Sequence, residues 1–340
     1  MIKSGKDIIF ASKLIREGKL VAFPTETVYG LGANGLDAKA VAKIFEAKQR
    51  PSFDPLILHI SDLEQLETVF KKPISPLVLQ LAEKYWPGPL TIVAPKTGKV
   101  PAVVTAGLKT VAVRMPAHKV ARKLIKQAGV PIAAPSANLF GRLSPTRAEH
   151  VKAQLKGVDY LLDGGITDIG LESTIVTIHR NSIEVLRPGA ITADQLQADF
   201  PDCKVVASNT EDHIQAPGQL KSHYSPRTPL YLYDAVPEKL PDYAALLLLE
   251  PHEVPEHAQS KIVLLSPTGD LTEAAAGLFQ ALHDLENDPE VEQIYAVKVE
   301  EKGLGMAIMD RLKKAAYRFS HFVDQNGMTA DEVSRQNQEL

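Results

Sequence analysis

The hydrophobic positions of the chain repeat with two periods, which predict helices alternating with short strands. Apolar residues at helical spacing predict helices over residues 7–17, 38–48, 75–85, 118–128 and 147–155. Short apolar runs that end at prolines predict strands over residues 20–23, 56–60, 90–94, 111–114 and 132–134. Residues 173–178 and 183–187 flank the polar pair Asn181-Ser182 and predict a hairpin. We therefore expect a mixed α/β domain that ends near residue 200.

The hydrophobic pattern lapses between residues 207 and 229, where polar residues, Gly218 and prolines predominate. A connection of this length is typical of a disordered segment or of a functional one such as a lid. After it, predicted strands alternate with helices, which indicates a small parallel sheet. These strands cover residues 230–233, 244–249, 262–265 and 293–297, and the helices lie near 270–286 and 304–318. We predict a catalytic domain at 1–205, a linker or lid at 206–229 and an accessory domain at 230–340.

Composition and charge narrow the class of protein. Apolar residues make up 44% of the 340 residues and charged residues 23%, as in an ordinary globular protein with a sizeable core. The formal net charge of −3 conceals an asymmetry. Residues 1–200 contain 26 Lys and Arg against 18 Asp and Glu, whereas residues 201–340 contain 12 against 23. We expect the first domain to bind anions and the second to be a solubilising or covering unit, unless surface charge has simply drifted.

The cysteine and histidine content limits the compartment and the metal chemistry. Cys203 stands alone, which excludes an internal disulfide and a cysteine-rich zinc site and predicts a reducing cytoplasm. The amino-terminal segment has no signal-peptide core, and no apolar run approaches the ~20 residues of a membrane span. His213 and His223 lack metal-ligand spacing, so we expect no structural zinc.

Two phosphate-binding motifs can be set aside. Gly30–Gly35 matches G-x-G-x-x-G, but Pro24–Tyr29 separate it from the preceding strand, whereas the first glycine of a dinucleotide fold follows the strand directly. We expect these glycines to let the backbone turn after a functional loop. The sequence contains neither G-x-x-x-x-G-K-[ST] nor a serine nucleophile elbow, so neither a P-loop nor a covalent mechanism is predicted.

Lys48 and Arg50 form a candidate anion site at the end of the second predicted helix. Pro51 disfavours a helical conformation at Arg50, so both side chains can converge on one anion if the helix ends between them. A guanidinium fork together with an ammonium group suits a triphosphate. In isolation, a solvated helix end would also explain the pair.

Polar residues near the ends of other predicted strands are candidates for the same site. Arg114 ends an apolar strand, where a charge is costly unless paired, so it indicates a carboxylate ligand or partner. Ser136 and Asn138 follow another strand, at the edge where α/β folds bind ligands, although a turn explains them equally well. Glu26 is equally consistent with a metal ligand, a base or a structural acceptor, and His59 is expected in the core.

Short motifs in a fixed order resemble the YrdC-like family in its long, two-domain form. They are Pro24–Leu31, Lys48–Pro51, Pro55–Leu56, Trp86–Thr91, Val113–Pro116, Ala134–Asn138, Ser173–Thr174 and Arg187–Gly189, followed in the linker by Ala216–Gly218 and His223–Tyr224. The resemblance covers residues 1–200 densely. It implies an α/β protein with a YrdC-like twisted mixed-sheet amino-terminal domain and a smaller Rossmann-like parallel α/β carboxy-terminal domain.

The resemblance implies a nucleotidyltransferase that condenses L-threonine, bicarbonate and ATP to L-threonylcarbamoyladenylate and releases pyrophosphate. It implies Mg²⁺ as a cofactor that accompanies ATP. The product would pass to the machinery that forms N6-threonylcarbamoyladenosine beside the anticodon of tRNA, in the cytoplasm.

The resemblance assigns the family's site residues to the positions of this chain that match its motifs. Threonine-binding residues are Thr27, His59, Arg114, Ala134 through its carbonyl, and Ser173. ATP-binding residues are Arg50, Asp54, Thr110, Ser136, Asn138, Ser144, Arg187 and Tyr224, and the catalytic residues are Lys48 and Arg50. Asp54 stands where family members often carry asparagine, and an acid close to phosphates is accommodated if Mg²⁺ intervenes.

Two other functions compete with the synthase. An RNA-binding module of ribosome or tRNA maturation would explain the basic first domain, with at least weak RNA binding, but not the buried-type placement of Arg114. Carbamoyl transfer in a hydrogenase-maturation protein shares the domain type. That activity would require cysteine-rich fingers, and Cys203 stands alone.

Overall fold

The computed structural model of the chain describes residues 2–208, 215–254 and 261–320. The strands within these ranges form two β-sheets. The helices that accompany the first sheet are α1 (Ile8–Arg16), α2 (Ala38–Lys48), α3 (Leu66–Val69), α4 (Pro76–Tyr85), α5 (Lys119–Ala128), α6 (Ala148–Gln154) and α7 (Ala193–Asp199). Its strands are β1 (Ser4–Gly5), β2 (Val21–Phe23), β3 (Gly30–Asn34), β4 (Ile57–His59), β5 (Leu90–Pro95), β6 (Thr110–Arg114), β7 (Ile132–Ala133), β8 (Tyr160–Leu162), β9 (Thr174–His179), β10 (Ser182–Arg187) and β11 (Lys204–Ala207). The second sheet comprises β12 (Leu230–Tyr233), β13 (Ala244–Leu248), β14 (Lys261–Leu264) and β15 (Gln293–Val297), accompanied by α8 (Leu271–Glu286) and α9 (Gly305–Ser320).

The first sheet is mixed, and within the described ranges it joins strands in the order β1-β8-β2-β3-β7-β4-β6-β5-β9-β10-β11. It contains parallel pairs, such as β4 with β6, and antiparallel pairs, such as β5 with β6. The predicted hairpin is present, because β9 and β10 pair antiparallel with a turn at Arg180 and Asn181. The mixed α/β fold expected of the first domain is confirmed.

The glycine-rich segment Gly30–Asn34 is a strand, so the prediction that the glycines turn the backbone is wrong for Gly30 and Gly32, whereas Gly35 lies in the turn after this strand. This strand, β3, pairs antiparallel with β2 on one side and β7 on the other. A Cβ atom on Gly32 would lie 2.7 Å from Phe23 Cε1 and 2.9 Å from Ile132 Cγ2. Glycine is required there because side chains of the neighbouring strands pack directly over the backbone.

Helix α2 begins and ends at the residues that the sequence indicates. Asp37 caps its start by accepting hydrogen bonds from the backbone N–H groups of Lys39 and Ala40. Gln49 takes a left-handed φ of 52° and ends the helix after Lys48. The chain therefore changes direction between the two cations of the predicted anion site.

Several short elements lie outside the predicted ones. They are β1, β3, α3, β8, α7 and β11. Strand β8 owes its conformation to pairing between β1 and β2 rather than to its own sequence. Tertiary pairing, which no local period encodes, decides such strands. Helix α7 begins with a capping box of Thr192 and Gln195, a local signal that could have predicted it.

The second sheet is parallel, with strand order β12-β15-β13-β14, as the alternating pattern predicts. Its apolar core continues into the first domain. Val28, Leu143, Leu171 and Tyr224 are buried in the same cluster as the apolar side chains of α8 and α9. The second domain therefore packs directly against loops of the first domain and against the linker.

Three general properties can be stated for the part of the chain that the structure describes. No helix in it is long and apolar enough to span a membrane. No group of three or more His, Cys, Asp or Glu side chains in it is arranged to hold a metal ion. Cys203 is half-buried and makes no disulfide.

Candidate active site

A pocket lies where loops at the ends of the first sheet's strands meet the linker. Many of the predicted site residues line it, namely Thr27, Arg50, His59, Arg114, Ala134, Ser136, Ser173, Arg187 and Tyr224. The lining also includes Thr25, Val28, Gly30, Ile57, Pro135, Glu172, Pro217, Gly218 and His223. The cavity of about 50 Å³ is far smaller than the roughly 300 Å³ or more of a typical ligand pocket.

Backbone hydrogen bonds hold two of the pocket's loops together. Tyr29 N donates to Pro145 O and Leu31 N donates to Pro135 O, both at 2.8 Å. Ala137 N donates in return to Tyr29 O, also at 2.8 Å. The loop after β2 and the loop after β7 therefore form one rigid wall of the pocket.

Arg114 is held at the end of β6 by three of its nitrogen atoms. Its Nε donates to Gly88 O at 3.1 Å and its Nη1 donates to Thr27 Oγ1 at 2.8 Å. Its Nη2 donates to Glu26 Oε1 at 2.5 Å within a buried ion pair. A guanidinium group has five N–H donors, so two remain for a ligand.

Glu26 is the buried acceptor that holds Arg114, and it does not line the pocket. Its second oxygen accepts a hydrogen bond from His118 N, which precedes α5. Burial alone would raise the pKa of this carboxyl, but the charge and hydrogen bond of Arg114 outweigh burial and lower it. Of the three roles open to Glu26, these contacts match the structural acceptor.

His59 and Ser173 complete the end of the pocket around Arg114. Burial, followed by the charge of Arg114, lowers the pKa of His59 to about 3, so its ring is neutral near pH 7. Ser173 Oγ lies 2.7 Å from Thr91 Oγ1 and accepts from Arg187 Nη2 at 3.2 Å. We refer to Thr27, His59, Arg114, Ala134 and Ser173 as the threonine end, after the role that the sequence predicts for them.

Lys48 lies outside the lining of the pocket that Arg50 reaches, and the joint anion site stays a prediction. Its Nζ donates to Ser136 O at 2.6 Å and to Asn138 O at 2.5 Å, and it is buried outside the pocket lining. Burial, followed by the charge of Arg50, lowers the pKa of Lys48 well below its usual value. In this structure the ammonium group fixes the loop after β7.

Arg50 lines the pocket, and oxygen atoms of its own loop contact its guanidinium group. Its Nε donates to Asp54 O at 3.2 Å and its Nη2 donates to Pro55 O at 2.9 Å. Asp54 Oδ1 lies 2.9 Å from Nη2 in a buried ion pair. Neither carboxylate oxygen of Asp54 accepts a hydrogen bond among the described residues. Burial raises the pKa of Asp54, and the neighbouring cations offset that only in part.

Asp54 and three other residues assigned to ATP lie outside the pocket lining, and their role in binding ATP stays a prediction. Thr110 begins β6 and is therefore at the opposite end of that strand from Arg114. Asn138 Nδ2 donates to Leu139 O and Arg142 O at 2.8 Å, so its amide shapes the loop. Ser144 Oγ donates to the carboxylate of Glu172.

The described part of the linker, residues 215–229, crosses the pocket, and we call it the strap. Pro217 O accepts from Arg187 Nη1 at 3.2 Å, and Gly218 O accepts from Lys314 Nζ at 2.6 Å. Tyr224 is buried with a φ of 58°, and its hydroxyl makes no hydrogen bond to the described residues. The predicted linker residues 209–214, including His213, lie outside the described part of the chain.

Comparisons with known proteins decide the family. A Sua5/YciO/YrdC model described as telomere recombination matches residues 13–189, and a model of the threonylcarbamoyl-AMP synthase C-terminal domain matches residues 184–317. The threonylcarbamoyl-AMP synthase of Pyrococcus abyssi is 44% identical over 322 residues, which cover 91% of this chain and 94% of that relative. The chain belongs to the threonylcarbamoyl-AMP synthase family.

Other members of the threonylcarbamoyl-AMP synthase family match most of the chain. The Bacillus subtilis enzyme of that name is 41% identical over 320 residues, covering 90% of this chain and 92% of its own. The solved structure of P. abyssi Sua5 complexed with L-threonine matches with a TM-score of 0.81 at 38% identity, covering 94% of this chain and 98% of that one. The predicted YrdC-like fold with a Rossmann-like second domain is confirmed.

Sequence reasoning missed two charged residues at this threonylcarbamoyl-AMP synthase site, Glu172 of the first domain and Arg311 of the second. Glu172, in the pocket wall, accepts from Arg311 Nε of α9 at 3.0 Å. The guanidinium of Arg311 also lies 5.3 Å from the centre of the Tyr224 ring. The neighbourhood of Ser173 could have drawn attention to Glu172, but no local signal connects Arg311 with residues so distant along the chain.

Proposed function

We propose that this chain condenses L-threonine, bicarbonate and ATP to L-threonylcarbamoyladenylate with release of pyrophosphate. The observation that carries the proposal is Arg114, a buried guanidinium in the pocket wall with two unused donors. Such a fork is suited to a carboxylate that binds through both oxygens. The L-threonine in the P. abyssi structure supports threonine as the source of that carboxylate.

Polar groups of the threonine end would select threonine by its hydroxyl and amine. The candidates are the Thr27 hydroxyl, the Ser173 hydroxyl and the Ala134 carbonyl, all in the pocket wall. A site that hydrogen-bonds a substrate hydroxyl rejects analogues that lack it far better than an apolar pocket discriminates by size. L-Serine, which keeps the hydroxyl, is therefore the competitor that we expect to be used best.

The other side of the pocket would hold the nucleotide, and we call Arg50, Ser136, Arg187 and Tyr224 the nucleotide end. Two buried guanidinium groups there offer positive charge to the phosphates. Mg²⁺ would enter with ATP as part of the substrate and help neutralise the departing pyrophosphate. Because the cavity measures only about 50 Å³, ATP requires the strap to move aside, and its return would exclude water.

The chemistry needs positioning rather than a protein nucleophile. Threonine's amine and bicarbonate give a carbamate and water, and a carbamate oxygen then attacks the α-phosphorus and displaces pyrophosphate. The protein would hold two anionic reactants together and offset their mutual repulsion. Arg114 serves the carboxylate in this scheme, whereas Arg50 and Arg187 serve the phosphates.

The proposal includes the fate of the product and the compartment. The adenylate would pass to the machinery that transfers the threonylcarbamoyl group to tRNA. A tRNA pathway supplied by ATP, in a chain whose single cysteine makes no disulfide, fits the cytoplasm.

Pyrophosphate release from ATP and Mg²⁺ by the purified chain tests the proposal. The reaction is run with both L-threonine and bicarbonate, with each alone and with neither. Release that requires both co-substrates supports the synthase. Absence of release in every combination, with the P. abyssi enzyme active under the same conditions, contradicts it. Tight RNA binding with steep salt dependence would then favour the RNA-binding alternative.

A further inference from the structure

Arg50 is the pocket guanidinium whose charge is already engaged by an acid of its own loop. The loop that follows α2 returns at Asp54 and places both its backbone carbonyl and its carboxylate against the guanidinium. Pro55 O adds a third oxygen at 2.9 Å. An anion from a ligand would therefore meet a guanidinium whose Nε and Nη2 atoms are already engaged by oxygen atoms of its own loop.

The carboxylate of Asp54 is bound to Arg50 by charge but not by an aligned hydrogen bond. Its Oδ1 lies 2.9 Å from Nη2, yet neither oxygen accepts a hydrogen bond among the described residues. The side chain is nevertheless completely buried. A buried carboxylate without hydrogen bonds is costly, so the contact is weaker than its distance alone suggests.

The cations around the pocket also act on Asp54. They are Arg50, Lys48 and Arg187, and Lys48 is already bound by two carbonyl groups. Arg50 and Arg187 line the pocket that would hold the nucleotide. A phosphate that binds Arg50 would therefore compete with the carboxylate for the same guanidinium. Ser52 and Phe53, which precede Asp54 in the loop, are exposed.

We propose that the Asp54 carboxylate occupies Arg50 as an internal stand-in for a nucleotide phosphate, and that ATP binds by displacing it. Asp54 thereby lowers the affinity of the site for triphosphate and for the pyrophosphate product, which favours product release. The inference rests on the proposed function, because it takes Arg50 as the cation that meets the phosphates.

Calorimetric titration of Asp54→Asn tests the inference. We expect ATP with Mg²⁺ and pyrophosphate each to bind roughly tenfold more tightly than to the unchanged chain, because one like charge is removed beside the phosphates. L-Threonine affinity should stay unchanged, since Arg114 and Glu26 are untouched. Asp288→Asn removes an acid from a different ion pair, with Lys261, and should change none of these affinities.

Other outcomes overturn the inference in distinguishable ways. Weaker ATP binding by Asp54→Asn only when Mg²⁺ is present would make Asp54 a metal ligand. Weaker binding both with and without Mg²⁺ would make it a residue that fixes Arg50 for the nucleotide, and unchanged binding would show that the carboxylate does not compete with phosphate. If the unchanged chain binds neither ATP nor pyrophosphate, the proposed function fails as well. Asp54→Ser, which also removes the charge, provides the same test if Asp54→Asn does not fold.

Discussion

The two ends of the pocket each pair a buried arginine with a buried acid, but the pairs differ in how completely they are satisfied. At the threonine end, Glu26 accepts a hydrogen bond from Arg114, and its pKa is lowered. At the nucleotide end, Asp54 accepts no hydrogen bond among the described residues, and burial raises its pKa. The hydroxyl of Tyr224 is likewise without a hydrogen bond to that part of the chain.

This difference indicates which half of the site is already arranged to bind its ligand. The hydrogen-bonded pair of Glu26 and Arg114 keeps its geometry, so the carboxylate clamp of the threonine end is preorganised, while His59 Nδ1 makes no hydrogen bond to the described residues. Buried polar groups without partners are costly, so the nucleotide end is poised to change when a ligand supplies those partners. Threonine should therefore bind to a rigid surface, whereas ATP should rearrange the strap and the Asp54 loop.

The largest expected effect is at the centre of the preorganised end. Arg114→Lys loses the planar fork that contacts Glu26, Thr27 and Gly88 together. We expect kcat/KM for L-threonine to fall by roughly 100- to 1000-fold. Arg122→Lys, an exposed substitution on α5, is the control and should leave it unchanged. A loss below tenfold at Arg114 would contradict the preorganised clamp.

The second prediction uses pH to test the ion pair that forms this end. Glu26→Gln should lower the free energy of unfolding by about 2–4 kcal/mol near pH 7, because one partner of a buried pair is removed. The Glu26 pKa is lowered in the folded chain. Its stabilisation is therefore complete above the ordinary pKa and is lost as the pH falls through the lowered value. Urea unfolding should show the difference between variant and unchanged chain shrinking in acid, and a constant difference would count against it.

A pair of tyrosine variants contrasts the unsatisfied end with a satisfied hydroxyl outside the pocket lining. Tyr224→Phe removes a hydroxyl without a hydrogen bond in the described chain, so it should weaken ATP roughly tenfold and leave ligand-free stability unchanged. Tyr29→Phe removes a hydroxyl that binds Gly165 O and Gly164 N, so it should lower stability by about 1–2 kcal/mol and leave ATP affinity unchanged. Calorimetry and thermal unfolding of both variants check this, and the reverse pattern would refute the assignment of the two ends.

The smallest effect concerns the charge state of His59. With its pKa lowered to about 3 by burial and by Arg114, His59 does not titrate near neutrality. The affinity for L-threonine should therefore change less than about twofold between roughly pH 5.5 and 7.5. Direct titration of threonine over that range measures it. A transition near the ordinary histidine pKa that disappears in His59→Asn would show that this end is less closed than its contacts indicate.

The sequence predicts much of the pocket because several of its residues lie at or just after an element with a clear period. Helix α2, strand β6 and strand β7 all appear where the pattern places them, and they bring Arg50, Arg114 and Ser136 to one pocket. The contacts of Lys48 could not be predicted in this way. Its ammonium group finds two carbonyl groups of a loop about 90 positions later, and no local pattern reports such a partner.

Other features could not be predicted for the same reason, because contacts between residues distant along the chain decide them. Gly30–Asn34 contains the residues of a turn but is a strand, because close packing by Phe23 and Ile132 requires glycine there. The contact between Arg311 and Glu172 joins the two domains across 139 positions. Whether Asp54 meets a metal, a cation or a phosphate depends on tertiary neighbours rather than on its own motif.

Amide hydrogen exchange, measured on the ligand-free chain and again with L-threonine or with ATP and Mg²⁺, tests the central contrast most directly. We expect threonine to change the amide exchange rates of residues 25–29 and 111–114 only slightly. ATP should change the exchange rates of residues 49–55 and 215–225 strongly. The contrast would be contradicted if threonine produced the largest change at its own end, or if ATP bound and left the loop and the strap unaltered.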